Sequence, residues 1–261
     1  MPVALTIAGS DSGGGAGLQA DLKTFHTFGV FGTTAVTAVT VQDTRGVHGV
    51  HPIPLEIVRH QIEVVVNDLS PSAVKTGMLA TRELVTGVAE ALAEHEIPAY
   101  VLDPVMVATS GDRLLDENAV GAIRERLLPL STLVTPNTHE AELLTGRSVR
   151  SVADLGPAAR ALVDAGAAAA LVKGGHLEGD EAIDLLWDGT TETVWRHRRL
   201  DTVHTHGTGC TLSAAAAAGL AAGRPLLDAV GDAIEFVARA LGAAPELGHG
   251  HGPLNHFVSA R

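Results

Sequence analysis

The chain has 261 residues, 46% of them hydrophobic and 18% charged, with a formal net charge of −12. That composition excludes a disordered chain and leaves ample length for a sizeable core. The acidic balance argues against nucleic acid and anionic membranes as partners, since both are recognised by clustered Lys and Arg.

In chain order, Val3–Ala8 reads as a strand. Gly17–Phe28 reads as a helix with Leu18, Leu22 and Phe25 on one face and Gly29 as its stop. Thr33–Val41 is predicted as one strand, and Pro54–Asp68 as a helix striped by Leu55, Val58, Ile62 and Val65. The run 74–76 is a strand, 81–93 a helix, and 100–103 a strand. Asp116 is the expected N-cap of a helix carrying Val120, Ile123 and Leu127. Leu133–Thr135 is a strand followed by a helix from Asn137. A second helix covers 151–165, and Ala169–Lys173 is again a strand. Ile183–Trp187 and Thr191–Trp195 flank Asp188-Gly189, a hairpin signal in which both turn residues tolerate positive φ. Helices over 208–222 and 225–241 follow, Pro225 suiting the first turn of the second.

Alternating strands and amphipathic helices predict an α/β layer fold. The length also suits a (β/α)8 barrel, but adjacent strands followed by adjacent helices favour an open sheet covered on both faces. With no linker, repeat or composition break, residues 1–261 are read as one domain. Val3–Ile7 is too short for a signal peptide, and the uncharged stretch around 205–223 is too weakly apolar for a bilayer helix. One cysteine, Cys210, excludes an internal disulfide, so a cytoplasmic protein is expected.

Five motifs carry chemistry. The glycine-rich loop 9–17 is no phosphate-binding P-loop, because Gly15 and Ala16 stand where Lys and Ser/Thr are required. A dinucleotide fingerprint fits it poorly. Bare backbone there suits a small flat ligand at a strand's carboxyl end, and a merely permissive turn is the plain alternative. His206-Gly-Thr-Gly-Cys210-Thr211 heads an alanine-rich helix, where unpaired amides and the helix dipole make an anion site. Cys210 at that position is expected to favour its thiolate and to accept a hydroxyl proton, the alternative being an inert buried residue. Asn137 and Glu140 share one helix face, as a hydrated Mg²⁺ needs, although a simple helix start explains them equally. Asp103 and Lys173 end two other strands, completing a phosphate-and-metal crevice. His249, His251 and His256 could be imagined around zinc, but with no Cys pair an ordered glycine-rich tail is preferred.

Read together, Ala4–Gly17, Gln19-Ala-Asp-Leu-Lys23, Lys75-Thr-Gly-Met78, Asp103-Pro-Val-Met, Ser110-Gly-Asp112, Thr135-Pro-Asn137, Lys173-Gly-Gly-His176, His206–Ser213 and Gly248-His-Gly-His-Gly-Pro253 resemble the hydroxymethylpyrimidine/phosphomethylpyrimidine kinases of thiamine biosynthesis. These belong to the ribokinase-like superfamily, and the resemblance runs in order over essentially the whole chain. It implies a three-layer α/β/α fold with a mostly parallel open sheet. It also implies ATP-dependent, Mg²⁺-assisted phosphorylation of 4-amino-5-hydroxymethyl-2-methylpyrimidine, a second transfer onto the monophosphate, and a homodimer. By position, Gln42 would read the aminopyrimidine edge, Asp21 and the backbone at Gly9 would line its pocket, and Met78 would pack on the ring. Cys210 would be the base, Gly207, Thr208 and Gly209 would hold the phosphoryl group, and Lys173 would offset charge on ATP. Asp103, Asn137 and Glu140 would organise Mg²⁺ largely through water. Two departures stand at the nucleotide edge: Val203-His204-Thr205 where Lys-Asn-Thr is common, so that His204 replaces a cation or the cation is lost, and Thr109 where lysine is common. Competing readings are a pyridoxal-type vitamin kinase, a non-catalytic pyrimidine sensor and a dehydrogenase.

Overall fold

The computed structural model describes residues 1–107, 111, 114 and 118–261. The expected helix start at Asp116, the Ala108-Thr109-Ser110 departure and all but Gly111 of Ser110-Gly-Asp112 lie outside the described residues.

Strand β1 (Val3–Ala8) leads through the glycine-rich loop into α1 (Gly17–Thr27) and β2 (Phe31–Val36), followed by β3 (Ala38–Gln42), β4 (Val47–Pro52) and α2 (Leu55–Leu69). Next come β5 (Ala73–Thr76), α3 (Arg82–His95), β6 (Tyr100–Leu102) and α4 (Ala119–Ala122), which continues as a π-helical turn over Ile123–Leu127 and a 3-10 turn over Leu128–Leu130. Then follow β7 (Leu133–Val134), α5 (Thr138–Thr145), α6 (Val152–Asp164), β8 (Ala170–Lys173), β9 (Glu181–Trp187), β10 (Glu192–Arg198), α7 (Thr208–Ala221) and α8 (Leu226–Gly242).

The main sheet runs β10-β9-β8-β7-β6-β5-β1-β2. Pairing is parallel from β2 through β8, and antiparallel at β8–β9 and β9–β10. This is the open, mostly parallel sheet that the sequence predicts. One core joins the sheet to α2–α6, around Val58, Leu84, Val88, Leu144 and Leu155. The other joins it to α1, α7 and α8, around Phe25, Leu212, Ala216 and Phe236. Three layers result. Chain order reverses direction between β1 and β5, the kind of switch point at which open α/β sheets bind ligands beyond the strands' carboxyl ends.

Helix α7 shows why its sequence is alanine-rich. Ten of its residues, Thr211 to Ala221 apart from Leu220, are buried, because sheet, α1 and α8 enclose it on several sides. Only small side chains permit that spacing: a Cβ added at Gly219 would lie 2.7 Å from the Ala229 Cβ. Among the described residues no helix is long and apolar enough to cross a membrane.

Two expectations are corrected. The single strand Thr33–Val41 is broken at Thr37, whose N–H donates to the Ala8 carbonyl (3.0 Å) and whose hydroxyl donates to the Met78 carbonyl (2.6 Å). The chain leaves the main sheet there, and β3 pairs instead with β4 in a two-stranded antiparallel hairpin. Strand β4 is not legible in Val47-His-Gly-Val-His-Pro52, where glycine and proline depress strand propensity. The β9–β10 connection spans Asp188 to Thr191, with only Gly189 at positive φ (90°). Asp188 instead accepts the Thr190 and Thr191 N–H groups through its carboxylate (2.9 and 2.6 Å).

The C-terminal tail folds back onto α7. His256, 7% exposed, places Nε2 2.9 Å from the Thr211 hydroxyl. Burial, aided by the Lys23 charge, pushes the imidazole down to about 4 from 6.5. The unfolded chain therefore binds the proton first as pH falls, so this stability is complete above the unfolded value and is lost towards pH 4. Between roughly pH 7 and 5 the wild type should lose about 2 kcal/mol more than His256→Gln. Urea denaturation of both proteins at each pH checks this, and equal losses would contradict it.

Candidate active site

The carboxyl ends of β1, β5, β6, β7 and β8 open onto one crevice. On its acceptor side, Gly9 follows β1 directly, and a Cβ there would sit 3.3 Å from the Met78 sulfur. Met78 packs with Ala38 and Ala80, with half-buried Val105 and Leu114 against them, forming an apolar wall suited to a flat ring. Gln42 stands at the end of β3, beside a register shift at Val41/Gln42. Its main chain is held from both sides by Ser12, whose hydroxyl accepts the Gln42 N–H (2.9 Å) and donates to the Gln42 carbonyl (2.7 Å). The Thr40 hydroxyl lies 3.3 Å from the Gln42 side-chain oxygen and donates to the Ser10 carbonyl (2.8 Å). The hairpin is thus stitched to the glycine-rich loop, with Gln42 at their seam.

On the phosphate side, the start of α7 carries no side-chain cap among the described residues. Its N-cap, Gly207, adopts φ 83°, and a Cβ there would overlap the Gly15 carbonyl oxygen, so only glycine allows the loop and the helix to meet. Gly209 faces Lys173: an added Cβ would lie 3.2 Å from its Nζ. Amides heading α7 and the Lys173 ammonium therefore converge on one spot, as an anion site requires. Lys173 Nζ is 3.7 Å from Asp103 Oδ1, while Asp103 Oδ2 accepts the Ser213 hydroxyl (2.9 Å).

Asn137 and Glu140 form a capping box on α5: Glu140 N–H donates to the Asn137 side chain, and Asn137 N–H donates to the Glu140 carboxylate, both at 2.9 Å. Asn137 thus spends its side-chain oxygen on holding Glu140 in place, the simple helix start that was the alternative to organising Mg²⁺ through water. Glu140 is buried, and burial together with the Asp103 charge pushes it up to about 7, against the pull of Lys173. Among the described residues no group of three or more His, Cys, Asp or Glu side chains is gathered to ligate a metal directly.

Three further expectations change. Asp21 does not line the pocket surface. It is fully buried, its oxygens both 2.9 Å from Lys75 Nζ and one of them accepting the Thr6 hydroxyl (2.6 Å), so it supports the floor from below. Cys210 is half-buried, and burial, with the Asp103 and Asp21 carboxylates, pushes its thiol up to about 11 against the pull of Lys75. The dipole of α7 does not outweigh desolvation, and the resting group is a thiol, not the expected thiolate. His204, expected as a replacement cation, makes no side-chain ion pair among the described residues. Its Nδ1 is buried without a partner among the described residues, packed under Gly252 of the tail.

Sequence reasoning gave Asp11, His206 and Lys75 no role of their own, although all three lie within the strings it singled out. Asp11 gathers the Gly13, Gly15 and Ala16 amides and the His206 ring (2.8–2.9 Å). Asp-Ser-Gly is a turn signature that could have drawn attention to it. Lys75 stands within a wholly buried strand, which itself signals a paired charge.

The phosphomethylpyrimidine kinase family profile matches residues 11–255. The hydroxymethylpyrimidine/phosphomethylpyrimidine kinase of Rhizobium meliloti is 52% identical over 98% of this chain and 97% of its own length. Among solved structures, an ADP complex of Bacillus subtilis pyridoxal kinase superposes with TM-score 0.91 at 38% identity, covering 98% of this chain and 97% of that one. Clostridium difficile phosphomethylpyrimidine kinase gives TM-score 0.83 at 38% identity, covering 92% and 99%. With a profile match that takes in most of the glycine-rich loop, Gln42, Lys173 and the head of α7 alike, the chain belongs to the phosphomethylpyrimidine kinase family.

Proposed function

We propose that this chain, as one kinase domain over residues 1–261, transfers the γ-phosphoryl group of ATP to the hydroxymethyl oxygen of 4-amino-5-hydroxymethyl-2-methylpyrimidine. In a second turnover it phosphorylates the resulting monophosphate to the diphosphate, in thiamine diphosphate biosynthesis. The observation that carries this reading is one crevice with a flat apolar wall and the Gln42 amide on one side, and the Gly209 and Cys210 amides at the head of α7 with Lys173 on the other. It acts in the cytoplasm as a homodimer, as in the resemblance.

The Gln42 amide reads the pyrimidine's amino edge with a donor and an acceptor together, Met78 packs on the ring face, and the Gly9 backbone lines the same pocket. The Gly209 and Cys210 amides beyond Gly207 stabilise charge on the migrating phosphoryl group, while the Thr208 N–H is held by the Thr205 carbonyl (3.3 Å) and Lys173 neutralises the donor's oxygens. As the oxygen–phosphorus bond forms, the bond to ADP breaks and negative charge leaves on ADP. Asp103 and Glu140, closely packed acids that gain from a neighbouring cation, would hold Mg²⁺ through its waters, and the ion would offset phosphate charge.

Cys210 receives the hydroxyl proton once it is itself ionised. Since its thiol is pushed up to about 11, the first transfer should climb about tenfold per unit between roughly pH 7 and 9. The monophosphate's acceptor oxygen is already ionised, so the second transfer should lack that slope. Steady-state rates of Cys210→Ser should be low and flat with pH in the first step, and an unchanged slope would remove the base assignment.

Phosphorus NMR of products formed from Mg-ATP and the pyrimidine alcohol tests the whole reading. Monophosphate followed by diphosphate supports it, and neither product overturns it. The pyridoxal kinase neighbours favour a second reading, so pyridoxal is assayed alongside, and higher kcat/KM on pyridoxal would reverse the assignment.

A further inference from the structure

We infer that Asp11 and His206 act as a positioning pair that fixes the distance between the acceptor pocket and the phosphoryl cradle, an inference that rests on the kinase reading. The two residues are 195 positions apart in sequence, yet His206 Nε2 lies 2.8 Å from Asp11 Oδ2. Side-chain exposure is only 9% and 2%. Each belongs to a different half of the crevice. Asp11 shapes the glycine-rich loop: its Oδ1 accepts the Gly13 N–H (2.8 Å), and its Oδ2 accepts those of Gly15 (2.9 Å) and Ala16 (2.8 Å). That loop carries Gly9 on one side and, through Ser12, holds Gln42 on the other.

His206 immediately precedes Gly207, the N-cap of the helix whose amides form the cradle. Its own N–H donates to the Gly252 carbonyl (3.1 Å), and it bridges to Pro253, so the tail fixes its backbone from behind. A Cβ on Gly15 would lie 2.6 Å from the imidazole, which leaves no room for the ring to swing away across the loop. Although burial works to raise the Asp11 carboxyl, the hydrogen bonds from His206, Ala16 and Gly13 together with the His206 charge hold it below the usual range. The carboxylate is therefore ionised and fully engaged, three contacts towards the acceptor loop and one towards the cradle.

Neither side chain is assigned contact with the reacting atoms. Their effect follows from geometry: phosphoryl transfer depends on the alignment of acceptor oxygen and phosphorus, and a displacement of about 1 Å costs about 100-fold in rate. Acceptor binding needs only the loop–hairpin seam and the Met78 wall. The pair should therefore appear in kcat and leave acceptor affinity nearly unchanged.

His206→Ala should lower kcat at least about 30-fold, while calorimetric Kd for the pyrimidine alcohol stays within about threefold. His206→Gln, which restores an N–H donor, should recover most of the rate. Asp11→Asn keeps the side chain's shape and serves as the second variant should the alanine protein not fold, with the same pattern expected. A kcat within about threefold of wild type in both variants overturns the pair, as does an acceptor Kd that weakens in step with kcat. Wild-type turnover measured in parallel tests the kinase reading separately. Should wild type prove inactive, amide hydrogen exchange decides: His206→Ala should speed exchange at residues 13–16 and at the bonded helix-head amides of Thr208 and Thr211 together, and unchanged protection at either segment overturns the pair.

Discussion

Lys75→Met is expected to destabilise the fold by about 3–5 kcal/mol. The Lys75 ammonium and the Asp21 carboxylate are both wholly buried, with Nζ 2.9 Å from each oxygen. Burial alone would drive the lysine towards neutrality, but the Asp21 charge, with Cys210 and Asp103 nearby, holds it above its ordinary range. Methionine matches the stem and removes the charge, leaving Asp21, among the described residues, with only the Thr6 hydroxyl. An unpaired carboxylate in that place must either stay ionised at high cost or take up a proton. Urea denaturation measures the loss, and Asp21→Asn added to Lys75→Met should restore much of it, because the stranded charge is then gone. A single-variant loss below about 1 kcal/mol would show that the pair contributes no more than an exposed one.

Gly207→Ala should reduce kcat/KM by at least about 100-fold. At φ 83° an alanine is already strained, and its methyl would occupy the position of the Gly15 carbonyl oxygen. The helix head or the glycine-rich loop must move, and either motion separates cradle from acceptor. Steady-state kinetics with both substrates varied check this, and a loss of only a few-fold would mean that the loop–helix contact does not set the reacting geometry.

The layered sheet was readable because its signals are local. Val3–Ala8 and Ala169–Lys173 announce themselves as short apolar runs, the stripe Val58–Ile62–Val65 by periodicity, and the helix start at Asn137 by residue type. The break at Thr37 was not readable, since it depends on Ala8 and Met78 accepting hydrogen bonds from another part of the chain. The site divides in the same way. Gly207–Cys210, Lys173, Asp103 and Glu140 meet because each terminates or follows a strand, a rule that sequence can apply. Asp11–His206 and Asp21–Lys75 depend on partners chosen across 195 and 54 residues, which no local pattern encodes. The Cys210 thiolate failed as an expectation because dipole stabilisation was weighed without the burial that the three-layer packing imposes.

The most direct test of the account is a crystal structure of the wild-type protein with ADP, a metallofluoride analogue of the migrating phosphoryl group, Mg²⁺ and the pyrimidine alcohol. The account places the fluoride complex against the Gly209 and Cys210 amides and Lys173, with the hydroxymethyl oxygen between it and the Cys210 sulfur and the ring beside Gln42. A fluoride complex bound away from the head of α7, or a pyrimidine held elsewhere than between Gln42 and Met78, would contradict it.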